Sequence, residues 1–221
     1  MRILPFTDES LIEAVSILHG GGVIAHATET CYGLACDLSN REAVEKLFRI
    51  KKRPVTQPVS GLFASVNDAR QYVIWTDRAD ELAKQYLPGP LTLILPMRED
   101  APKRLYPVVS GQWSVVSSEK ESRITNHLPL ATIGVRISSH PHAQMLVEKF
   151  GSVISTTSAN VHGLPNPYSA DDIAAQFADA AEVPDLVLDD GLLPQVPPST
   201  VINLATEEQE VQTLRQGLVK F

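Results

Sequence analysis

The chain has 221 residues, of which 43% are apolar and 20% charged, with a formal net charge of −7. This length favours a single domain, residues 1–221, and the negative charge argues against a protein that holds nucleic acid mainly through its phosphates. The sequence has no run of about 20 apolar residues that would indicate a membrane span. Residues 1–13 lack the apolar core of a signal peptide, so we expect a cytoplasmic protein with no membrane contact.

Helical and strand patterns alternate along the chain. The first helix follows Thr7 and ends at three glycines, and a buried strand is predicted at residues 23–27. Asn40 caps a second helix that ends within the K-K-R-P run at residues 51–54. Further strands are predicted at residues 61–65, 91–97, 131–138, 153–158, 186–189 and 200–204, and further helices at 77–86, 142–150 and 170–180. This alternation predicts an α/β or α+β fold in which helices cover a sheet.

Residues 98–130 differ from the rest of the chain in their content of Pro, Ser, Lys and Glu. Loops of this length in compact domains are functional lids or partly disordered segments. We expect an insertion or long loop within the single domain, with a short strand near residues 113–116.

The only two cysteines are Cys31 and Cys36. They lack the paired CxxC spacing or the histidine partners that a zinc site requires, so we expect two buried free thiols and no metal site.

Several polar segments could bind a ligand, and each also has a purely structural interpretation. The basic run from Lys51 to Arg53 is either a solvated helix end or an anion site. The S-T-T-S-A-N run at residues 155–160 follows a buried strand and is either a ligand-binding edge or an ordinary turn. Arg136 lies in an apolar strand and needs either a salt-bridge partner or an anionic ligand. The sequence contains no P-loop, no GxGxxG, no HExxH and no GxSxG motif.

Seven segments, taken together and in this order, resemble the YrdC-like family. They are A-T-E-T-C-Y-G-L at 27–34, K-K-R-P at 51–54, L-P-G-P-L-T at 87–92, V-R-I at 135–137 before H-P at 140–141, S-A-N at 158–160, P-S-T-V at 198–201 and L-R-Q-G at 214–217. The resemblance implies a twisted mixed β-sheet with flanking helices and an open, positively lined cavity. It also implies an enzyme that converts ATP, L-threonine and bicarbonate into L-threonylcarbamoyladenylate and pyrophosphate for the modification of tRNA.

The resemblance assigns roles to individual residues. Lys51 and Arg53 are implied as catalytic residues. The implied ATP-binding residues are Lys51, Arg53, Gln57, Thr132, Ser158, Asn160, Asn166 and Arg215. The implied threonine-binding residues are Thr30, Arg136, Thr156 and Ser199. Mg²⁺ is expected to accompany ATP. Glu29 is available as a general base, but a structural hydrogen-bond role is an equally open alternative, and the family pattern does not require a carboxylate for the chemistry.

Departures from the family pattern keep other functions open. Ala27 replaces a proline, Gln57 lies in an altered run, and Leu62 stands where some members have a histidine close to threonine. These differences allow a paralogue with a different carbamoyl or adenylyl transfer activity.

A second alternative is an RNA-binding or ribosome-associated module that contacts tRNA or double-stranded RNA, which the net charge disfavours. A carbamoyl transferase of the hydrogenase-maturation type would need zinc-binding cysteines that this chain lacks. Because the adenylate is labile, we expect a downstream tRNA threonylcarbamoyl transferase complex as partner.

Overall fold

The computed structural model describes residues 1–54, 59–106, 131–205 and 211–220. Within these ranges the strands are β1 (Arg2–Pro5), β2 (Ile24–His26), β3 (Gly33–Ala35), β4 (Ser60–Leu62), β5 (Leu91–Pro96), β6 (Thr132–Arg136), β7 (Ile154–Ser158), β8 (Leu186–Asp189), β9 (Thr200–Asn203) and β10 (Gln212–Arg215). The helices are α1 (Asp8–His19), α2 (Arg41–Lys51), α3 (Val66–Arg70), α4 (Asp77–Tyr86), α5 (Pro141–Phe150) and α6 (Ala170–Gln176). None of the helices described here is long and apolar enough to cross a membrane.

The strands form one mixed sheet in the order β1-β8-β2-β3-β7-β4-β6-β5-β9-β10. The pairs β1–β8, β2–β8, β4–β6 and β5–β9 are parallel, and the other pairs are antiparallel. The predicted α/β class with a mixed sheet and flanking helices is therefore confirmed.

Two hydrophobic clusters cover opposite faces of the sheet. Successive strand residues alternate between them, as Ile24 and Ala25 do on β2 and Ile154 and Val153 do at the start of β7. Helices α2, α4 and α6 contribute to the first cluster, whereas α1 and α5 contribute to the second. The sheet is thus packed on both faces by apolar helix surfaces.

Helices α1 and α5 cover only part of their face of the sheet. On β6, Ile133 and Val135 point into the first hydrophobic cluster. The alternating residues Thr132, Gly134 and Arg136 therefore face the opposite side of the sheet, beyond the part that α1 and α5 cover. These positions, unlike their apolar neighbours, line an open cavity. Because α1 and α5 cover only part of this face, a polar surface of the sheet stays open beside them.

The predicted elements agree well with the observed ones, and the differences have local causes. Helix α4 and strand β8 have their predicted bounds, and Thr7 and Asn40 cap α1 and α2 as expected. Strand β4 ends before its predicted limit because Ser65 caps α3, its side chain accepting a hydrogen bond from the Asp68 backbone. The predicted strand at 113–116 and most of the 98–130 insertion lie outside the described residues. Cys31 and Cys36 are both buried and free, as expected.

Candidate functional site

A cavity of about 430 Å³ opens on the part of the sheet that α1 and α5 leave uncovered. All the predicted site residues within the described ranges line it: Thr30, Lys51, Arg53, Thr132, Arg136, Thr156, Ser158, Asn160, Asn166, Ser199 and Arg215. Gln57 lies outside the described residues. Four of the lining side chains are lysine or arginine, and among the described lining residues none is acidic. The fold therefore brings residues from distant parts of the chain to one positively charged cavity.

Lys51 is held at the C-terminal end of α2 by oxygen atoms of the segment that follows β7. Its side chain is buried, and Nζ donates to the backbone oxygen and Oδ1 of Asn160, both at 3.0 Å, and to the Ser158 backbone oxygen. Burial, and to a lesser extent the charge of Arg53, lowers the pKa of Lys51 to about 7. Lys52, the next residue, has a left-handed backbone (φ 51°) and is exposed to solvent. The basic run predicted from sequence therefore divides into a buried cavity lysine and a solvated one.

Arg53 lines the cavity beyond the end of α2. Its guanidinium carbon lies 5.9 Å from the centre of the Phe48 ring, so the apolar face of α2 supports it. Burial lowers the pKa of Arg53, although an arginine stays charged at physiological pH. Lys51 and Arg53 together supply two cations at one end of the cavity.

The segment after β7 is fixed by its own side chains. Ser158 Oγ donates to Asn160 Oδ1 at 2.6 Å, and Asn160 Nδ2 donates to the Leu164 backbone oxygen. The His162 backbone N–H donates to the Lys51 backbone oxygen at 2.8 Å, which joins this segment to the end of α2. Serine hydroxyl, asparagine amide and lysine ammonium groups consequently meet in one arrangement, and such groups are suited to binding phosphate oxygens.

Arg136 resolves the question that its place in an apolar strand raised. The side chain is 7% exposed, and its Nη2 donates to Glu29 Oε1 at 2.8 Å and to Thr30 Oγ1 at 3.2 Å. Its Nε is buried without a hydrogen-bond partner. Arg136 therefore has the salt-bridge partner that its place in the strand requires. It also lines the cavity with unused donor capacity, and binding of an anionic ligand stays a prediction.

Glu29 is the partner that sequence reasoning did not identify for Arg136. Burial alone would raise the pKa of Glu29, but the charge of Arg136 and the hydrogen bonds from Ser138 and Arg136 outweigh it, so the pKa is lowered. Glu29 is accordingly ionised at neutral pH and orients the arginine. A carboxylate in this run indicates that a cationic partner exists. The sequence could not identify Arg136 as that partner, because Glu29 and Arg136 lie 107 positions apart.

Arg215 reaches the cavity because the chain approaches itself closely beside β9 and β10. Its Nε donates to the Ser199 backbone oxygen at 3.0 Å, and its Nη2 donates to Ser199 Oγ at 2.9 Å. A Cβ at Gly217 would lie 2.0 Å from the Pro198 backbone oxygen, so only glycine permits this approach. The glycine of the L-R-Q-G segment therefore positions its arginine.

Leu62 does not line the cavity. Its side chain is fully buried in the hydrophobic cluster formed with α1 and α5. Where some family members have histidine, this chain therefore has a core leucine outside the cavity. Leu62 pairs with Arg136 across β4 and β6.

Comparison with known proteins gives consistent matches over nearly the whole chain. The family model of Sua5, YciO and YrdC, described as telomere recombination, matches residues 16–217. A threonylcarbamoyl-AMP synthase of Vibrio cholerae is 32% identical over 212 residues, which are 95% of this chain and 98% of that protein. P. abyssi Sua5, whose structure was determined in complex with L-threonine, is 28% identical in sequence and superposes with a TM-score of 0.76. The match covers 98% of this chain and 56% of the Sua5 chain. Escherichia coli YciO is 26% identical with a TM-score of 0.75, covering 99% and 95% of the two chains.

Proposed function

Because the chain belongs to the Sua5, YciO and YrdC family, we propose that it is a threonylcarbamoyl-AMP synthase. It would convert ATP, L-threonine and bicarbonate into L-threonylcarbamoyladenylate and pyrophosphate. The observation that carries this proposal is the single cavity that holds every described residue of both predicted substrate sets. The name of the Vibrio cholerae relative and the threonine in the P. abyssi complex support it.

The nucleotide would contact Lys51, Arg53 and Arg215, three of the four cations that line the cavity. Arginine offers a planar fork of donors to phosphate oxygens, and lysine offers a compact point charge. Lys51 Nζ already donates to three oxygens, which is its full donor capacity, so it would act on phosphate through its fixed positive charge or by exchanging one of these hydrogen bonds for a phosphate oxygen. Ser158 and Asn160 would supply the neutral hydrogen bonds beside these charges.

The amino acid would lie against Arg136, with its carboxylate accepting hydrogen bonds from the guanidinium. The hydroxyl groups of Thr30, Thr156 and Ser199 line the same cavity and are suited to the ammonium or hydroxyl group of threonine. Glu29 would hold Arg136 in the orientation that the carboxylate requires.

The reaction joins two anions, so neutralising charge and aligning the reactants are the main tasks of the site. Bicarbonate gives carbon dioxide and hydroxide. The threonine amine, in its neutral form, attacks the carbon dioxide and loses a proton to that hydroxide, so the products are a carbamate and water. A carbamate oxygen then forms a bond to the α-phosphorus of ATP, and the bond to pyrophosphate breaks as pyrophosphate leaves with the electron pair. Lys51 and Arg53 would stabilise the charge that develops on the phosphate oxygens.

Mg²⁺ is proposed to enter with ATP, where it would neutralise part of the triphosphate charge. The described lining residues include no carboxylate. The phosphate oxygens, water and hydroxyl groups of the cavity would therefore supply its ligands, a donor set that suits this hard cation.

Lys51 should make ATP binding depend on pH. Its pKa of about 7 means that the ammonium loses its proton as the pH rises above 7, whereas bound phosphates favour the charged form and raise the pKa. ATP binding should therefore take up protons above about pH 7, and the affinity for ATP should fall by up to about tenfold per pH unit until the raised pKa of the complex is passed. Calorimetric titrations in buffers of different ionisation enthalpy measure this uptake. Equal uptake by Lys51→Met would contradict the assignment.

The activity is tested by pyrophosphate release from ATP and Mg²⁺ with and without L-threonine and bicarbonate, using serine and valine as alternative amino acids. We expect release that requires threonine and bicarbonate, together with a nucleotide product that gains one mass unit from ¹³C-bicarbonate. If folded, ATP-binding protein releases pyrophosphate at the same rate without threonine, the paralogue alternative replaces this proposal.

The product is a mixed anhydride of carbamate and phosphate, which water hydrolyses readily, so a partner must consume it quickly. We propose a downstream tRNA threonylcarbamoyl transferase complex as that partner. Direct contact with tRNA or double-stranded RNA and a cytoplasmic location stay predictions. Titrating tRNA binding against salt tests the RNA contact, because phosphate-mediated binding weakens steeply as the salt concentration rises.

A further inference from the structure

Two histidines and an aspartate meet where α5 begins and β8 ends, outside the residues that line the cavity. His140 is the residue before α5, His142 lies in its first turn, and Asp190 directly follows β8. His142 Nδ1 lies 2.5 Å from Asp190 Oδ1, and His140 Nε2 lies 4.0 Å from Asp190 Oδ2. One nitrogen or oxygen atom from each residue lies within 4.8 Å of the other two.

Polar atoms in this cluster are buried without partners. Asp190 Oδ2 and His140 Nδ1 have no hydrogen-bond partner, and the Asp190 side chain is only 9% exposed. Gln144 Oε1, one helical turn after His140, is also buried and unpartnered. A buried carboxylate oxygen without a partner is costly, and native proteins rarely leave one without a bound ion, a water or a functional reason. The orphaned oxygen of Asp190 therefore indicates a ligand between the two imidazoles.

Neighbouring residues fix the positions of these side chains. The Phe6 ring stacks on His142 with ring centres 3.5 Å apart, and the Asp190 backbone N–H donates to the Tyr32 hydroxyl at 2.8 Å. The same hydroxyl donates to the Gly191 backbone oxygen at 2.8 Å, which holds the segment after β8. Supporting contacts of this kind hold the side chains of protein metal sites in place.

We propose that His140, His142 and Asp190 bind one divalent transition-metal ion of the zinc class. Two imidazole nitrogens and one carboxylate oxygen are a three-ligand set that Zn²⁺ accepts, with water in the fourth position, whereas Mg²⁺ and Ca²⁺ prefer oxygen ligands. Ligand atoms of a tetrahedral zinc site lie roughly 3.3 Å apart. The three ligand atoms lie within 4.8 Å of one another, so rotation of the side chains would bring them to this spacing around an ion.

The metal ion would connect the start of α5 to the segment after β8, close to the residues that hold Arg136 in place. The His140 backbone N–H donates to Ser138 Oγ at 3.1 Å, and Ser138 donates to Glu29, which pairs with Arg136. An ion at this point would join the start of α5 to the segment after β8 and so stabilise the shell that holds Glu29. Its role is structural, and it takes no part in the reaction proposed above.

The test uses the full chain, stripped of metal with a chelator and titrated with Zn²⁺ in competition with a chromophoric chelator. The amount of metal bound per chain is measured by inductively coupled plasma mass spectrometry. We expect one equivalent of Zn²⁺, no comparable binding of Mg²⁺, and a rise in the thermal unfolding midpoint when Zn²⁺ is added. Asp190→Asn, which preserves the shape of the side chain, should weaken Zn²⁺ binding at least tenfold and abolish the thermal shift.

His142→Ala should weaken binding in the same way, and the matched control His19→Ala should not, because His19 lies at the exposed end of α1. If His142→Ala fails to fold, the Asp190→Asn result decides the question. Wild-type protein that binds less than one equivalent of Zn²⁺, or Asp190→Asn protein that binds it as tightly as wild type, overturns the proposal. Since these measurements involve no substrate, their outcome is independent of the proposed activity.

Discussion

Replacing Lys51 with methionine is expected to lower the rate of pyrophosphate release by roughly 10²–10³-fold, as loss of a preorganised electrostatic contact to the transition state commonly does. Methionine retains most of the volume of the side chain, so the change removes the charge and its hydrogen bonds more than it removes packing. Lys51 is 2% exposed and already directed by the oxygens of Ser158 and Asn160. The effect should fall on turnover as well as on ATP affinity, because charge on the phosphate oxygens grows as pyrophosphate leaves.

The neighbouring Lys52 provides the matched control. It is exposed, and it is not among the described residues that line the cavity. Lys52→Met removes the same charge one residue further along and should leave the rate close to that of the wild type. Circular dichroism and thermal unfolding establish that both variants fold. Near-normal turnover in folded Lys51→Met, or an equal loss in Lys52→Met, contradicts a specific role for Lys51.

The elements predicted best from the sequence are those whose signals are local. Helix α2 combines a capping Asn40 with an apolar stripe, and α4 is capped by Thr76, whose side chain accepts a hydrogen bond from the Ala79 backbone. The sequence did not predict strands β1, β3 and β10. Strands β1 and β10 lie at the two ends of the sheet and are mostly exposed, so no buried apolar run marks them. Strand β3 lies within the polar A-T-E-T-C-Y-G-L run, where no alternation of apolar residues marks it.

The cavity residues could be listed from motifs, but their partners could not. The resemblance to the YrdC-like family implied that Lys51, Asn160 and Arg215 lie at one site, and in the structure all three line the same cavity. The pairing of Arg136 with Glu29 joins residues 107 positions apart, and that of His142 with Asp190 joins residues 48 positions apart. Such contacts depend on the order of strands in the sheet, and no spacing within the sequence encodes them.

Arg136→Met is expected to raise the KM for threonine by roughly 30-fold or more, because loss of one partner from a buried, hydrogen-bonded charge pair costs about 2–5 kcal/mol. The affinity for ATP should change little, since the proposed phosphate contacts are Lys51, Arg53 and Arg215. Steady-state rates measured over a range of threonine concentrations at saturating ATP separate these two effects. Arg49→Met is the matched control, because Arg49 pairs with Glu182 on the surface.

Removing the guanidinium alone leaves Glu29 charged and buried, which should also destabilise the fold by about 3–5 kcal/mol. The double variant Glu29→Gln/Arg136→Met removes that unpaired charge, so it should recover most of the lost stability in urea unfolding without recovering threonine binding. This contrast separates recognition of the amino acid from maintenance of the fold. If the double variant regains both stability and a normal KM for threonine, Arg136 serves only the structure, and another group binds the carboxylate.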